Sequence, residues 1–130
     1  MKAIRIHQHG GPEVLRYEDV PPPKISKDDV LIRVKACALN YLDLWARRGI
    51  PRVTLPLIPG CDVSGVIEEI GQDVEGWSKG ERVVINPGVS CGDCEYCKQG
   101  EDPLCNSYHI IGEHVDGGYA ELAKVPAETS

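Results

Sequence analysis

Residues 91–105, with the sequence CGDCEYCKQGEDPLC, contain four cysteines, which are Cys91, Cys94, Cys97 and Cys105. Two-residue spacers let neighbouring thiolates close onto one tetrahedral Zn²⁺, which accepts sulfur ligands at about 2.3 Å. Lys98 is the single basic residue of the stretch, so a divalent cation would relieve the repulsion among four thiolates. The spacing therefore predicts one zinc ion bound by these four cysteines.

A zinc ion with four cysteine ligands has no open position for water or substrate, so the predicted role of this ion is structural. The surrounding segment, about residues 88–111, has few aliphatic side chains and is expected to form a projecting lobe without a core of its own. Disulfides or free clustered thiols are the alternative interpretation. An iron–sulfur cluster fits less well, because the bacterial ferredoxin pattern places its fourth cysteine closer.

The composition of the whole chain is that of one globular, β-rich domain. The 130 residues include 42% hydrophobic residues, fourteen glycines and ten prolines, which favours many short strands over a helical bundle. No apolar run approaches the 18 residues of a membrane-spanning helix. The net charge of −6 argues against nucleic acid and anionic membranes as partners, so we expect a small-molecule ligand.

Hydrophobic periodicity predicts the order of the elements. Alternating or short apolar stretches predict strands, which cover residues 2–7, 14–20, about 30–37, 61–70, 82–85 and 117–125. In the third strand, one face should hold Val30, Ile32, Val34 and Ala36. Gly65 inside the fourth strand predicts a bulge or a close backbone approach.

Between the third and fourth strands the apolar spacing becomes helical. Leu42, Trp45 and Ala46 recur at three- and four-residue intervals, with Asn40 in position to cap the start and Gly49 to end the helix. We therefore predict a short helix from Tyr41 to Arg48.

This arrangement resembles the N-terminal catalytic domain of the medium-chain dehydrogenase/reductase superfamily, which includes zinc-containing alcohol dehydrogenases and quinone reductases. The four cysteines match the family's structural-zinc lobe, and Gly60, Gly65 and Gly71 match the glycines of its Gly-His-Glu-x2-Gly-x5-Gly motif. Gly117-Gly118-Tyr119-Ala120-Glu121 is similar to the strand after the lobe. The resemblance implies a mainly β, GroES-like fold over residues 1–130: a partly open antiparallel β-barrel with short helices and a projecting zinc lobe.

The chain departs from the zinc alcohol dehydrogenases at their catalytic metal. Asn40 stands where the family has its first catalytic-zinc cysteine, Leu42 where it has a proton-passing hydroxyl, and Gly60-Cys61-Asp62 where it has Gly-His-Glu. Asn40, Asp43, Arg47 and Gly49 instead fit an Asn-x2-Asp-x3-Arg-x-Gly pattern. That pattern resembles the zinc-free quinone reductase branch, where the asparagine lies near the nicotinamide and the substrate carbonyl.

The resemblance makes Asn40, Asp43, Cys61 and Asp62 the candidate catalytic residues, and each has a structural alternative. Asn40 is also a preferred N-cap, Asp43 also suits the first turn of a helix, and Cys61 is also a small buried residue. Asp62 lies in an apolar stretch, where an acid needs a partner or a function.

The four histidines offer weaker signals. His7 and His9 are expected on the surface at the end of the first strand. His109 and His114 flank the exit of the zinc lobe and could approach the site.

The expected function is therefore that of the substrate-side catalytic domain of an oxidoreductase. It would exchange hydride with an alcohol, carbonyl or quinone and depend on NAD or NADP. A Rossmann Gly-x-Gly-x2-Gly fingerprint is absent from the 130 residues, so we expect a longer parent protein and an inactive isolated chain. We also expect the parent protein to be a homo-oligomer. The alternative is a stand-alone zinc-stabilised β-barrel that acts as a binding or assembly module, similar to a co-chaperonin. The absence of a signal-peptide pattern at Met1–Ile6 and the cysteine content favour the cytoplasm.

Overall fold

The computed structural model describes residues 1–51 and 53–129, which form short antiparallel strands with two α-helices and three 3₁₀ turns. The strands are β1 (Lys2–Ile6), β2 (Leu15–Asp19), β3 (Asp29–Ala38), β4 (Asp62–Ile70), β5 (Arg82–Val84), β6 (Gly88–Val89), β7 (His109–Ile110) and β8 (Leu122–Pro126). The helices are α1 (Tyr41–Arg48) and α2 (Glu95–Lys98), and the 3₁₀ turns are Pro12–Val14, Asp102–Leu104 and Ala127–Thr129. No helix in the described part of the chain is long and apolar enough to cross a membrane.

Strand β3 is an inner strand of the largest sheet and pairs with both β4 and β8. The largest sheet has the order β5-β4-β3-β8, while β1 pairs with β2 and β6 with β7 in two small sheets. The sheets are open and do not close into a complete barrel, which agrees with the predicted mainly β, GroES-like fold. The main core lies on one face of the four-stranded sheet and is formed by Val30, Ile32, Val63, Ile67, Val83, Ile85, Val89, Ile111 and Val125.

The predicted two-face pattern of β3 is correct at its start and wrong at its end. Val30 and Ile32 are fully buried, but Leu31 is buried as well and Ala36 is exposed. The register against β4 shifts between Leu31 and Ile32 and again between Val34 and Ala36, opposite Gly65. The first shift skips Glu68 on β4 and leaves the alternation of β3 unchanged. The second skips Lys35 on β3 itself and turns Cys37 inward, against the core.

The final strand starts later than the predicted residue 117. Residues 117–119 instead bond to the loop before β4: the N–H of Gly117 donates to the Ile58 carbonyl at 2.7 Å, and that of Gly118 to the Gly60 carbonyl at 2.8 Å. Two backbones lie so close here that a Cβ at Gly112 would come within 2.7 Å of the Gly60 carbonyl carbon. We call Gly60, Gly112, Gly117 and Gly118 the glycine junction.

Helix α1 has the predicted bounds. Asn40 precedes it with extended backbone (φ −127°), and Gly49 ends it with φ +114° while its N–H donates to the Trp45 carbonyl at 2.8 Å. His9, exposed as predicted, places its Nδ1 3.1 Å from the Ala46 carbonyl at the helix end. The helix is thus anchored at both ends, and its first turn faces the loop before β4.

The cysteine lobe has no core, as its composition predicted. Within residues 90–104 every side chain is at least partly exposed, and Cys105 is the first buried residue that follows. Apolar burial at about 25 cal/mol per Å² therefore stabilises this segment little. An interaction other than apolar packing must therefore stabilise residues 90–104.

Candidate functional site

The four cysteine sulfurs of the lobe lie together as the spacing predicted. Cys91, Cys94, Cys97 and Cys105 place their Sγ atoms within 4.8 Å of one another. Individual Sγ–Sγ distances are 3.4 Å for Cys94 and Cys97, 3.5 Å for Cys91 and Cys105, and 3.9 Å for Cys91 and Cys97. Tetrahedral zinc with sulfur at 2.3 Å requires sulfurs about 3.8 Å apart. The cluster therefore has the dimensions of a four-cysteine zinc site.

Backbone N–H groups point at the same sulfurs. The Sγ of Cys91 accepts from Cys94 at 3.3 Å and from Asp93 at 3.4 Å, while the Sγ of Cys105 accepts from Ser107 at 3.4 Å and from Cys91 at 3.5 Å. The backbone bonds to Cys105 lower the pKa of its thiol below the ordinary range. Such donors favour thiolates, which are the form that binds metal.

The donor set thus fits structural zinc, with no position open to substrate. All six cysteines of the chain are free thiols, so disulfides do not explain the cluster. The zinc ion, held by Cys91, Cys94, Cys97 and Cys105, would replace the missing core of the lobe.

A second group of polar residues surrounds the start of α1. The exposed Asn40 donates from its side-chain amide to the Sγ of Cys61 at 3.8 Å. Cys61 itself is buried, at 8% exposure, and directly precedes β4. The structure thus brings together Asn40 and Cys61, two of the candidate catalytic residues, across 21 positions of sequence.

Asp43 is buried at 7% exposure and links three segments. Its Oδ2 accepts from the Tyr119 hydroxyl at 2.7 Å and from the backbone N–H of Asn40 at 2.9 Å. Its Oδ1 accepts from the backbone N–H of Gly60 at 3.1 Å. A buried carboxylate is stable only when such donors replace its water. Asp43 therefore connects the helix start, the loop before Cys61 and the loop before β8.

Burial and the Asp43 charge raise the pKa values of two thiols and one phenol near Asp43. Burial first, and then Asp43, raise the pKa of the Cys37 thiol to about 11 and raise the pKa of Cys61 above its ordinary value. Burial and the hydrogen bond to Asp43 also raise the pKa of the Tyr119 hydroxyl. All three groups are consequently protonated at neutral pH.

Asp62 differs from the expectation that placed it near a core. It is exposed at the first position of β4, opposite Ala38, because the pleat directs it away from the face that holds Val63. The argument that a buried acid needs a partner therefore does not apply to Asp62. Its charge still contributes to the raised pKa of Cys61, so it lies near the candidate site.

The structure adds residues that sequence patterns did not single out for the site. Tyr119 enters through its bond to Asp43. Glu113 lies in the turn after the zinc lobe, and its charge also raises the pKa of Cys61.

The two histidines at the exit of the zinc lobe form contacts within their own segment. The Nδ1 of His114 accepts from the Ile110 N–H at 3.0 Å, and its Nε2 lies 3.4 Å from Glu113. His109 contacts the Ser107 carbonyl through Nδ1 at 3.1 Å, within its own segment.

We expect no tightly bound metal beside Cys61 and Asp62. Within residues 1–51 and 53–129, the four-cysteine cluster is the only group of three or more His, Cys, Asp or Glu ligands close enough to share an ion. Asn40 is a poor zinc ligand, so the shell around Cys61 stays incomplete. Titration of the metal-free chain with Co²⁺, followed by thiolate absorption, should saturate at about one equivalent.

Cys61→Ser is the matched variant for this prediction, and it should leave the cobalt stoichiometry unchanged. A Cys91→Ser/Cys94→Ser variant that kept a full equivalent of zinc, and lost it when Cys61→Ser was added, would instead establish a metal at the candidate site.

Comparison with known proteins gives consistent results. Residues 26–130 match the model of the alcohol dehydrogenase GroES-like domain. The chain is 38% identical over 133 residues to an NAD-dependent alcohol dehydrogenase of Sulfolobus acidocaldarius, covering 97% of this chain and 38% of that protein. It is 40% identical over 126 residues to an acryloyl-coenzyme A reductase of Sulfurisphaera tokodaii, covering 96% of this chain and 37% of that protein.

Solved structures give the same result. The crystal structure of an NAD-dependent alcohol dehydrogenase superposes with a TM-score of 0.95 at 48% identity, over 99% of this chain and 38% of that one. The chain therefore spans somewhat over a third of the length of these relatives.

Proposed function

Because the chain belongs to the alcohol dehydrogenase GroES-like domain family, we propose that it is the substrate-side catalytic domain of a nicotinamide-dependent oxidoreductase. The substrate would be an alcohol, a carbonyl compound or a quinone. NAD or NADP would be bound by a further domain of a longer protein and would carry the hydride. The family match over residues 26–130 and the relatives named for NAD-dependent alcohol oxidation support this proposal.

The observation that carries the proposal is the placement of the Asn40 amide. An amide has two N–H donors, and one of them is directed at Cys61. The other is available to an incoming oxygen atom, because Asn40 is exposed at the start of α1. We assign Asn40 the role of holding the substrate oxygen, on which charge changes while hydride moves between the nicotinamide and the substrate.

The other candidate residues take supporting roles in this proposal. Asp43 is a positioning residue, since its oxygens already accept three hydrogen bonds and it is buried. Cys61, a neutral thiol, orients the Asn40 amide as a weak acceptor. Asp62 is exposed, and its charge acts on Cys61, so it would lie on the side of the site that is open to a substrate.

An oxygen-holding amide fits the named relatives despite their different substrates. An alcohol carries a hydroxyl oxygen and an acryloyl thioester a carbonyl oxygen, and in both cases the reaction changes the charge on that oxygen. A donor fixed in place stabilises such charge without reorganisation. We expect a small-molecule partner and neither nucleic acid nor a membrane, since the net charge of −6 disfavours binding to anionic surfaces. Six free thiols are compatible with the reducing cytoplasm, where we place the protein.

Asn40→Ala in the longer protein is expected to reduce kcat/KM by about 10²–10³, the cost of removing one donor to a developing oxyanion. Asn106→Ala is the matched control, since Asn106 is an exposed asparagine of the zinc lobe. Steady-state assays at the nicotinamide absorbance band measure both variants. An Asn40→Ala enzyme with unchanged kcat/KM would refute the assignment, and a longer protein with no turnover on any of the three substrate classes would refute the oxidoreductase proposal.

A further inference from the structure

We propose that Tyr119 is a positioning residue of the candidate site, whose hydroxyl acts through Asp43 to fix Asn40 relative to Cys61. The inference rests on the proposed function of Asn40 as the donor to the substrate oxygen. Its geometric part concerns contacts within this chain alone.

The Asp43 carboxylate carries the link. The Tyr119 hydroxyl donates to Oδ2 at 2.7 Å, and the Asn40 N–H donates to the same atom at 2.9 Å. The Gly60 N–H donates to Oδ1 at 3.1 Å. The hydroxyl therefore limits rotation of the carboxylate, and the orientation of the carboxylate sets the distance between the backbones of Asn40 and Gly60, which directly precedes Cys61.

The Tyr119 ring is held independently of its hydroxyl. Its backbone N–H donates to the Pro59 carbonyl at 3.0 Å, and its carbonyl accepts from Ile4 at 2.8 Å. The ring covers Gly60 so closely that a Cβ there would lie 2.6 Å from the ring atom Cδ1. Phenylalanine at position 119 would keep this packing and remove one donor from a buried carboxylate.

Loss of that donor leaves Asp43 with two hydrogen bonds in place of three. A buried carboxylate oxygen without a hydrogen-bond donor is unfavourable. The carboxylate should therefore rotate toward Asn40 or Gly60, or a water molecule should enter and donate to it. Either response moves the Asn40 amide from its position beside Cys61. The prediction is therefore a local change at two backbone amides and one side-chain amide, with the fold retained.

Nuclear magnetic resonance of the zinc-loaded chain tests the geometric part. Tyr119→Phe should shift the backbone amide resonances of Asn40 and Gly60, and the side-chain amide of Asn40, several times more than Tyr17→Phe does. Tyr17 is the matched control because it is 73% exposed and its ring lies beside the Lys2 ammonium, 5.5 Å from the ring centroid, in the β1–β2 sheet. If Tyr119→Phe instead disturbed the packing in general, resonances throughout β8 and the glycine junction would shift as much as those of Asn40.

A double-mutant cycle tests whether the effect passes through Asp43. Once Asp43→Ala is present, Tyr119→Phe should have little further effect on the Asn40 resonances, because position 43 then has no side-chain acceptor for the hydroxyl. In the longer protein, Tyr119→Phe should lower kcat/KM by about ten- to hundredfold, the effect of one hydrogen bond to a charged group. The KM for the nucleotide should not change.

Two results would overturn the proposal: unmoved Asn40 and Gly60 resonances in Tyr119→Phe, or fully additive effects of the two substitutions. Shifted resonances in a longer protein that turns over no substrate would support the contact and refute the proposed function. The two failures are thus distinguishable.

Discussion

Cys91→Ser is expected to reduce bound zinc from about one equivalent to less than about 0.1 and to unfold residues 90–104 of the lobe. The Sγ of Cys91 is the most connected of the four, since it lies 3.5 Å from Cys105 and 3.9 Å from Cys97 and accepts from two backbone N–H groups. Structural zinc contributes roughly 10–16 kcal/mol of apparent binding free energy in zinc-finger peptides. No side chain from residue 90 to 104 is buried, so the lobe has no other source of comparable stability.

Elemental analysis of the purified chain measures the zinc content, and thermal unfolding measures the loss of stability. Cys37→Ser is the matched control, because Cys37 is a free thiol outside the lobe. It should retain about one zinc. A Cys91→Ser chain with full zinc occupancy and unchanged unfolding would contradict the prediction. Zinc affinity should also fall at low pH, since protons compete with the metal for the thiolates.

The 130-residue chain by itself is expected to show no nicotinamide-dependent turnover of alcohols, aldehydes or quinones. Pyrophosphate binding normally uses a glycine-rich turn between a strand and a helix, whose N–H groups meet the anion. The sequence has no Gly-x-Gly-x2-Gly pattern and carries a net charge of −6. Holding two reactants in the correct geometry lowers the activation free energy by about 7–11 kcal/mol. A domain that binds only the substrate loses most of this reduction.

The measurement combines a fluorescence titration with NADH and NADPH and an absorbance assay at the nicotinamide band. The longer protein, assayed under the same conditions, should turn over and serves as the positive control. Micromolar nucleotide binding or steady oxidation by the 130-residue chain would contradict the expectation and would assign the cofactor site to this domain.

Local patterns predicted the elements whose residues are close in sequence. The bounds of α1 follow from Asn40 and Gly49, and the metal cluster follows from the cysteine spacing within residues 91–105. Both depend on contacts a few residues apart, where spacing fixes geometry.

Contacts between distant residues were not predictable in the same way. Tyr119 lies 76 positions from Asp43, and no periodicity links them. The register shifts between β3 and β4 likewise depend on how the two strands pair, which the alternation within a single strand does not contain. Asp62 was misplaced for a related reason: apolar neighbours in sequence do not share its face of a pleated strand.

The glycine junction separates the scaffold of this domain from its chemistry. Gly60, Gly112, Gly117 and Gly118 join the loop before β4, the exit of the zinc lobe and the entrance to β8 through main-chain hydrogen bonds and close backbone approaches. The side chains of Asn40, Cys61 and Asp62 form none of these main-chain hydrogen bonds. We therefore expect substitutions at these three positions to leave the junction intact, so that the reactive groups of the site can be changed without rebuilding the framework beneath them.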